Sequence, residues 1–195
     1  DYHARPVAPF GDDNARLLIV GLAPGMHGAN ATGRPFTGDY AGILLYQTLF
    51  EFGFSNRPES VSPDDGLQLH DCRITNAVKC LPPQNKPQLD EIRSCNRYLR
   101  AELDGLPDPA VILALGKIAH DAVLRATGQR LSAFPFGHAR VHAPVPNRLL
   151  IDSYHCSRYN TQTRRLTAAM FGDVFRLARE ALDAGNQPAS TPDEG

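Results

Sequence analysis

The sequence has no excess of positive charge, since its formal net charge is −1 over 195 residues. Bulk charge therefore gives no support for nucleic-acid binding, which would have to depend on a local basic patch. The chain also lacks an apolar run long enough to cross a membrane and a secretory signal pattern. It has no initiator Met and opens on Asp1, so we expect a fragment or a processed product of about one domain.

Several motifs of common enzyme classes are also missing. Neither G-x-x-x-x-G-K-S/T nor G-x-G-x-x-G occurs, which argues against a nucleotide hydrolase or a dinucleotide enzyme. G-x-S-x-G is absent, which argues against a hydrolase with a nucleophile elbow. The four cysteines (Cys72, Cys80, Cys95 and Cys156) include no C-x-x-C pair. We expect reduced thiols or metal ligands, with only weak support for zinc.

Strand-like and helix-like segments alternate along the chain, which predicts an α/β domain with a mostly parallel sheet. The predicted strands are 16–21, 70–79, 108–115 and 148–152, and the predicted helices are 40–52, 89–103, 116–125 and a long helix ending near Ala184. Residues 2–13 read as an arm, 55–66 as a loop, and 137–147 as a hairpin-like piece. We expect one domain over 1–186 and a disordered tail over 187–195.

Three loops rich in special residues begin where predicted strands end, at Gly21, Asn76 and Ser153. The first loop, residues 21–39, contains five glycines, with His27, Asn30, Arg34, Phe36 and Asp39 among them. Glycines let the backbone approach a ligand closely, and ligands of parallel sheets bind beyond the carboxyl ends of strands. The convergence predicts one shared site without naming its chemistry.

Each candidate side chain has a plain alternative. Phe36 packs into the protein or stacks on a flat ring, and Asn76 satisfies its own backbone or bonds a nucleobase edge. Asp39 caps the following helix or takes part in catalysis. His155 is a core histidine, or it forms a relay with Ser157 for which no acid partner is evident. An Asn paired with an aromatic residue is the pair expected for reading a nucleobase.

The order of these motifs resembles the family-five (type B) uracil-DNA glycosylases, which are iron–sulfur members of the uracil-DNA glycosylase superfamily. The resemblance runs from the first strand to the last helix. It is carried by GLAPG at 21–25, HGAN at 27–30, GRPFTGD at 33–39, TNAVKCLPPQNKP at 75–87 and SYHCSRYN at 153–160.

The resemblance implies a three-layer α/β/α fold and an enzyme that flips uracil out of DNA and hydrolyses its N-glycosidic bond. Phe36 would stack on the base, Asn76 would bond its polar edge, and His155 would stabilise the leaving anion. Asp39 would position water, because GLAPG offers no side chain that accepts a proton. The rest of the base-binding set would be Gly21, Leu22, Ala23 and Gly25. The family also implies activity on hypoxanthine, ethenocytosine and mispaired thymine.

The resemblance further implies a DNA-binding surface on a monomer that acts on single- or double-stranded DNA in the prokaryotic cytoplasm, at the nucleoid. Its members would be His27, Asn30, Arg34, Asn85, Ser157, Arg158, Asn160, Arg164 and Arg165. Arg158, Arg164 and Arg165 form a local basic patch that is not evident from the net charge. Arg164 is a departure, since Gly is expected at that position.

A second departure concerns the structural 4Fe–4S cluster that the family carries on four cysteines. Only Cys80 and Cys95 match, and we expect the other two ligands upstream of Asp1. Substitution by Cys72 or Cys156 is disfavoured, because Cys156 follows His155 directly. No catalytic metal is expected.

Two other functions remain open from sequence. The first is a non-catalytic protein that binds nucleic acid or nucleobases on the same fold. The second is a metal-dependent hydrolase that uses His27, His155 and Asp39, and it predicts loss of activity in chelator.

Overall fold

The computed structural model describes residues 6–80 and 87–186. Within these ranges six strands form one sheet in the order β1-β3-β2-β4-β6-β5. They are β1 (Phe10–Gly11), β2 (Leu17–Gly21), β3 (Cys72–Asn76), β4 (Ala110–Leu115), β5 (Val141–Val145) and β6 (Arg148–Ser153). The four central strands are parallel, and the edge strands β1 and β5 are antiparallel to their neighbours. The predicted mostly parallel sheet is confirmed.

Helices cover both faces of the sheet, which confirms the three-layer α/β/α fold. They are α1 (Ala29–Thr32), α2 (Tyr40–Glu51), α3 (Leu89–Asp104), α4 (Lys117–Ala126), α5 (Arg158–Gln162) and α6 (Ala168–Ala184). Side chains of α2 and α6 share one core cluster with the sheet, and side chains of α3 and α4 share the other. No helix in the described part of the chain is long and apolar enough to cross a membrane.

The strand β2 shows why the centre of the sheet forms. All five of its residues are buried. Leu17 and Ile19 point into the α2–α6 core, whereas Leu18 and Val20 point into the α3–α4 core. An apolar run without alternation is the pattern of a strand covered on both faces. Full burial of each such side chain stabilises the fold by about 1.5 to 3 kcal/mol.

The sequence prediction misses three short elements. The strand β1 lies inside the predicted arm and pairs with β3, and α1 lies inside the predicted first loop. The predicted third loop contains the short helix α5, which ends several residues before α6 begins. Arg164 lies between α5 and α6 with φ at 57°. This is a left-handed backbone conformation, which commonly ends a helix and favours glycine. The conformation explains why Gly is expected at that position.

Candidate active site

The ends of the parallel strands bring the three special loops together, as the sequence predicts. Gly21 at the end of β2 is paired in register with Asn76 at the end of β3. A methyl group added at Gly21 would lie 2.5 Å from Oδ1 of Asn76 and 2.6 Å from Cζ of Phe36. The rings of Phe36 and His155 are 6.1 Å apart between centroids. Side chains from all three loops therefore line one place, and Gly21 must lack a side chain to admit them.

Phe36 is held against helix α2 by its own backbone. Its φ is 55°, and its side chain is buried. The Phe36 carbonyl packs directly on Gly42, where any side chain would collide with it. One turn further along α2, the Tyr46 hydroxyl donates a hydrogen bond to the carbonyl of Pro35 at 2.7 Å. The ring is thus fixed by the helix before any ligand binds.

Asn76 carries the most unusual polar atom of the site. The residue is only 3% exposed, and its Oδ1 has no hydrogen-bond partner among the described residues. An unpaired buried acceptor costs about 1 to 3 kcal/mol, so such atoms are rare in proteins. The alternative that Asn76 satisfies its own backbone through this oxygen finds no support. The oxygen lies beside the Phe36 ring, where a ligand N–H would satisfy it.

His155 is partly buried, and desolvation lowers the pKa of its imidazole to about 4. The ring is therefore neutral at neutral pH and can donate one N–H. Two predicted DNA contacts, Ser157 and Asn160, stabilise the loop that carries it. Asn160 donates a side-chain hydrogen bond to the His155 carbonyl at 2.9 Å. The Ser157 hydroxyl accepts the Asn160 backbone N–H at 3.3 Å and caps α5.

Asp39 caps helix α2 as predicted, and its catalytic role stays a prediction. Its Oδ1 accepts the Gly42 N–H at 3.0 Å and caps α2. Its Oδ2 faces the first loop, because a methyl group added at Gly28 would lie 2.6 Å from that oxygen. Burial raises the pKa of the Asp39 carboxyl, against the opposing effect of the Gly42 hydrogen bond. One oxygen is thus committed to the helix and the other is available to a ligand or water.

The remaining residues of the base-binding prediction form the backbone of the site. The carbonyl of Gly21 accepts the N–H of Ala77, and the carbonyl of Leu22 accepts that of Val78. Ala23 packs on the α3–α4 core. The Gly25 carbonyl accepts the N–H groups of Gly28 and Asn30.

Two predicted DNA contacts are not available at the surface. Arg34 is buried, with its guanidinium 2.9 Å from Asp65, 3.0 Å from the Ser60 hydroxyl and 4.5 Å from the Phe10 ring centroid. It connects the first loop to the loop at 58–66 and is a structural residue, so the prediction that Arg34 binds DNA is wrong. Asn30 is also buried, within α1. The sequence missed the burial of Arg34 because its partners lie far away along the chain.

Four of the other predicted DNA contacts are exposed. His27, Arg158, Arg164 and Arg165 all lie at the surface. The guanidinium of Arg158 is 5.7 Å from the Tyr40 ring centroid, and that of Arg165 is 4.9 Å from the Tyr154 ring centroid. Asn85 lies outside the described residues.

The cysteines fall into two groups. Cys72 and Cys156 are fully buried in the α2–α6 core, which removes them as surface ligands. Cys80 is exposed and Cys95 half-buried. Partial burial, with smaller contributions from Cys95 and Glu91, raises the pKa of the Cys80 thiol.

The predicted metal set of the hydrolase alternative does not assemble. His27, His155 and Asp39 do not form a group of ligand atoms within reach of one ion. Within the described ranges, the group of three that does so is His120, His142 and Asp152, all buried. Sequence reasoning passed over these three residues. The signals were a carboxylate ending the apolar strand β6 and a histidine on the apolar face of α4.

The comparisons with known proteins identify the family. The profile of the uracil DNA glycosylase superfamily matches residues 8–179. The chain belongs to this superfamily. The type-5 uracil-DNA glycosylase of Thermus thermophilus is 52% identical over 91% of this chain and 81% of its own length. That of Pyrobaculum aerophilum is 46% identical over 94% of this chain and 79% of its own length.

A solved structure extends the likeness to the fold alone. The crystal structure of SMUG2 from Pedobacter heparinus superposes with a TM-score of 0.54 at 14% identity. The match covers 88% of this chain and 77% of that one. The type-5 relatives confirm the family resemblance that the motifs indicate. Uracil-DNA glycosylases act on DNA.

Proposed function

We propose that this uracil-DNA glycosylase superfamily member flips uracil out of DNA and hydrolyses its N-glycosidic bond, leaving an abasic site. The buried Oδ1 of Asn76 beside the Phe36 ring carries this proposal. Uracil presents a ring N–H between two carbonyl groups, and that N–H supplies the donor that Asn76 lacks. Cytosine presents a ring nitrogen acceptor at the same position. Two acceptors would then face each other, and their partial negative charges would repel.

Phe36 and Asn76 select the base, and His155 acts on the leaving group. As the glycosidic bond breaks, negative charge grows on the base, and the His155 N–H stabilises it as an oxyanion donor does. The neutral imidazole suits this role, since its low pKa keeps it from holding a second proton at neutral pH. Oδ2 of Asp39 orients the water that attacks the sugar. With a leaving group able to depart as an anion, no strong base is required.

The same site extends to further lesions. Hypoxanthine and mispaired thymine carry a ring N–H beside a carbonyl group, so the Asn76 acceptor suits both. Ethenocytosine lacks that N–H, and its release would depend on stacking against Phe36. Uracil is the main substrate in this proposal.

The DNA backbone would bind the exposed arginines Arg158, Arg164 and Arg165, with His27 on the first loop. Ser157 and Asn160 belong to this surface through the loop they hold. A surface of this kind accepts single- or double-stranded DNA, and it requires no second copy of the chain. The proposal therefore includes a monomer acting in the prokaryotic cytoplasm, at the nucleoid.

A 4Fe–4S cluster fits this chain in part. Cys80 and Cys95 would supply two thiolate ligands, and a bound cluster would tie the residues after β3 to α3. Cys72 and Cys156 are buried elsewhere, so this sequence offers two ligands of the four. Iron and sulfide analysis of the purified protein, with Cys80→Ala beside it, tests this part. Iron that the variant retains would contradict it.

The experiment that tests the main proposal is single-turnover incubation with a labelled duplex carrying one uracil, followed by alkali. DNA binding is measured in parallel. Alkali-dependent cleavage at uracil is expected, and it should persist in chelator, whereas the metal-dependent hydrolase predicts its loss. Binding without cleavage would instead favour the non-catalytic nucleobase-binding protein.

A further inference from the structure

The residues His120, Asp152 and His142 form a buried polar cluster, called here the His–Asp–His cluster, beneath the loop that carries His155. All three are 8% exposed or less, and Asp152 is fully buried. Nδ1 of His120 lies 2.6 Å from Oδ1 of Asp152, and Nε2 of His142 lies 2.9 Å from Oδ2. Buried ionisable groups are costly unless every one of them is paired, so the cluster calls for a reason.

The hydrogen-bond partners of His120 favour its doubly protonated form. Nε2 of His120 faces the carbonyl oxygen of Phe134 at 2.8 Å, so both ring nitrogens of His120 face oxygen acceptors. Asp152 also accepts the Gly137 backbone N–H at 3.2 Å. The Phe134 carbonyl can only accept, so Nε2 of His120 carries a proton, and a second proton at Nδ1 makes His120 and Asp152 a buried ion pair. Burial lowers the pKa of His120, but the hydrogen bond and charge of Asp152 outweigh it and raise the pKa overall.

This arrangement also accounts for the cluster without a metal ion. The three ligand atoms lie within 4.8 Å of one another, which suits an ion in principle. A metal ligand must offer a bare nitrogen, however, and both nitrogens of His120 are engaged with oxygen atoms. The close approach of Asp152 to both histidines is that of hydrogen bonds.

The cluster is joined to His155 along two paths. Asp152 lies in the buried part of β6, three positions before His155. His120 lies on α4, which begins just after Gly116. The Gly116 N–H donates to the Ser153 carbonyl at 2.8 Å, and a methyl group at Gly116 would touch Cβ of His155 at 3.5 Å. The ion pair therefore locks α4 to β6 at the point where the His155 loop leaves the sheet.

We propose that His120, Asp152 and His142 are positioning residues for uracil release, and that their buried ion pair fixes the place of the His155 ring. The inference rests on the proposed function, in which His155 stabilises the leaving base. A misplacement of about 1 Å at a reacting group costs on the order of a hundredfold in rate. A buried ion pair next to such a group is one way to prevent that misplacement.

The first test is the Asp152→Asn variant, with His70→Gln as a control at an exposed histidine. Single-turnover uracil release should fall about 10- to 100-fold in Asp152→Asn, while the dissociation constant for uracil DNA stays unchanged. The control should match the wild type in both. Because Asp152→Asn leaves His120 without its counter-ion, the double variant His120→Gln/Asp152→Asn is compared with it. This neutral pair should restore the melting temperature but not the rate.

Two spectroscopic readouts keep the outcomes separate. In the wild type, nitrogen-detected NMR should show both ring protons on His120 at neutral pH, and the His155 ring signals should shift in Asp152→Asn. A wild-type rate in Asp152→Asn with unmoved His155 signals would overturn the inference. So would stoichiometric metal in the purified wild type that is lost in His142→Ala. A wild type that releases no uracil would refute the proposed function instead, and the His155 signals would still report on the positioning.

Discussion

Asn76 shows how a single residue can trade stability for recognition. In the protein without DNA, its Oδ1 is a buried acceptor with no partner among the described residues. The proposed function gives that atom a partner only when a flipped base is present. The ligand-free fold therefore bears a cost that the complex recovers.

Asn76→Ala should accordingly change activity and stability in opposite directions. We expect single-turnover uracil release to fall on the order of ten- to a hundredfold, from loss of about 1 to 3 kcal/mol in the transition state. The melting temperature should stay equal to the wild type or rise, because the unpaired oxygen is gone. Asn14→Ala, at an exposed asparagine before β2, is the matched control. A lower melting temperature together with an unchanged uracil release rate in Asn76→Ala would contradict both expectations.

His155 should make the fold sensitive to acid. Its folded-state pKa is about 4, against 6.5 in the unfolded chain, so the unfolded state binds more protons between these values. His155 does not lower the free energy of unfolding above pH 6.5. That free energy decreases as the pH falls from 6.5 toward 4, because the unfolded chain binds the proton more readily. The gap corresponds to about 3 kcal/mol at most.

Urea unfolding of the wild type and His155→Gln measures this effect. The variant should lose less stability than the wild type as the pH is lowered through this window, and the two should converge in pH dependence above 6.5. His120, whose pKa is raised, acts in the opposite direction and is present in both proteins. Parallel pH curves for the two proteins would show that His155 titrates normally.

At the scale of elements, α2 determines where Phe36 lies. Gly42 is a helical glycine, and in most helices alanine would be better by about 0.5 to 1 kcal/mol. Here an alanine methyl would collide with the Phe36 carbonyl. The glycine lowers the helix propensity of α2 but lets the Phe36 backbone approach the helix closely.

Two glycine-to-alanine changes separate these effects. Gly172→Ala in α6 meets nothing closer than 3.9 Å and should stabilise the fold by about 0.5 to 1 kcal/mol. Gly42→Ala should destabilise it by about 1 to 3 kcal/mol through overpacking, and should slow uracil release by moving Phe36. Thermal unfolding and single-turnover assays of both variants check this. If both variants were more stable than the wild type, the Phe36 carbonyl would be able to move away from residue 42 without destabilising the fold.

Much of the architecture follows from local pattern, and the exceptions are non-local. The runs that form β2 and β4 are apolar throughout, and Asp39 marks the start of α2 as predicted. The meeting of the three loops follows from parallel strand order. By contrast, the burial of Arg34 depends on Asp65, which lies 31 positions away. The His–Asp–His cluster likewise joins α4, β5 and β6, and no local spacing encodes it.

At the scale of the whole molecule, a nearly neutral chain must bind a polyanion. The net charge of −1 leaves long-range attraction weak, so the exposed arginines near the site have to supply it locally. Arg164 adds a cation at a left-handed backbone position where the resemblance leads us to expect Gly. In the proposed DNA-binding surface, this charge would add one phosphate contact that a glycine could not make.

Arg164→Gly should therefore weaken DNA binding at all sequences alike. The slope of log affinity against log salt should fall by about 1, and the single-turnover rate at saturating protein should stay unchanged. The control is Arg130→Ala, at an exposed arginine outside the helices. An unchanged slope in Arg164→Gly would remove Arg164 from the DNA-binding surface.

The packing of Phe36 on α2 and of Asn76 on β3 has a consequence for substrate range. In the proposed site, Phe36 packs on α2 and Asn76 belongs to β3, so the spacing between the helix and the sheet would set the width of the base pocket. Leu45 and Leu49 fill that spacing from α2. Changing their size should widen or narrow the base pocket without touching any residue that contacts the base. Core residues are thus the place from which to engineer this enzyme toward bulkier damaged bases.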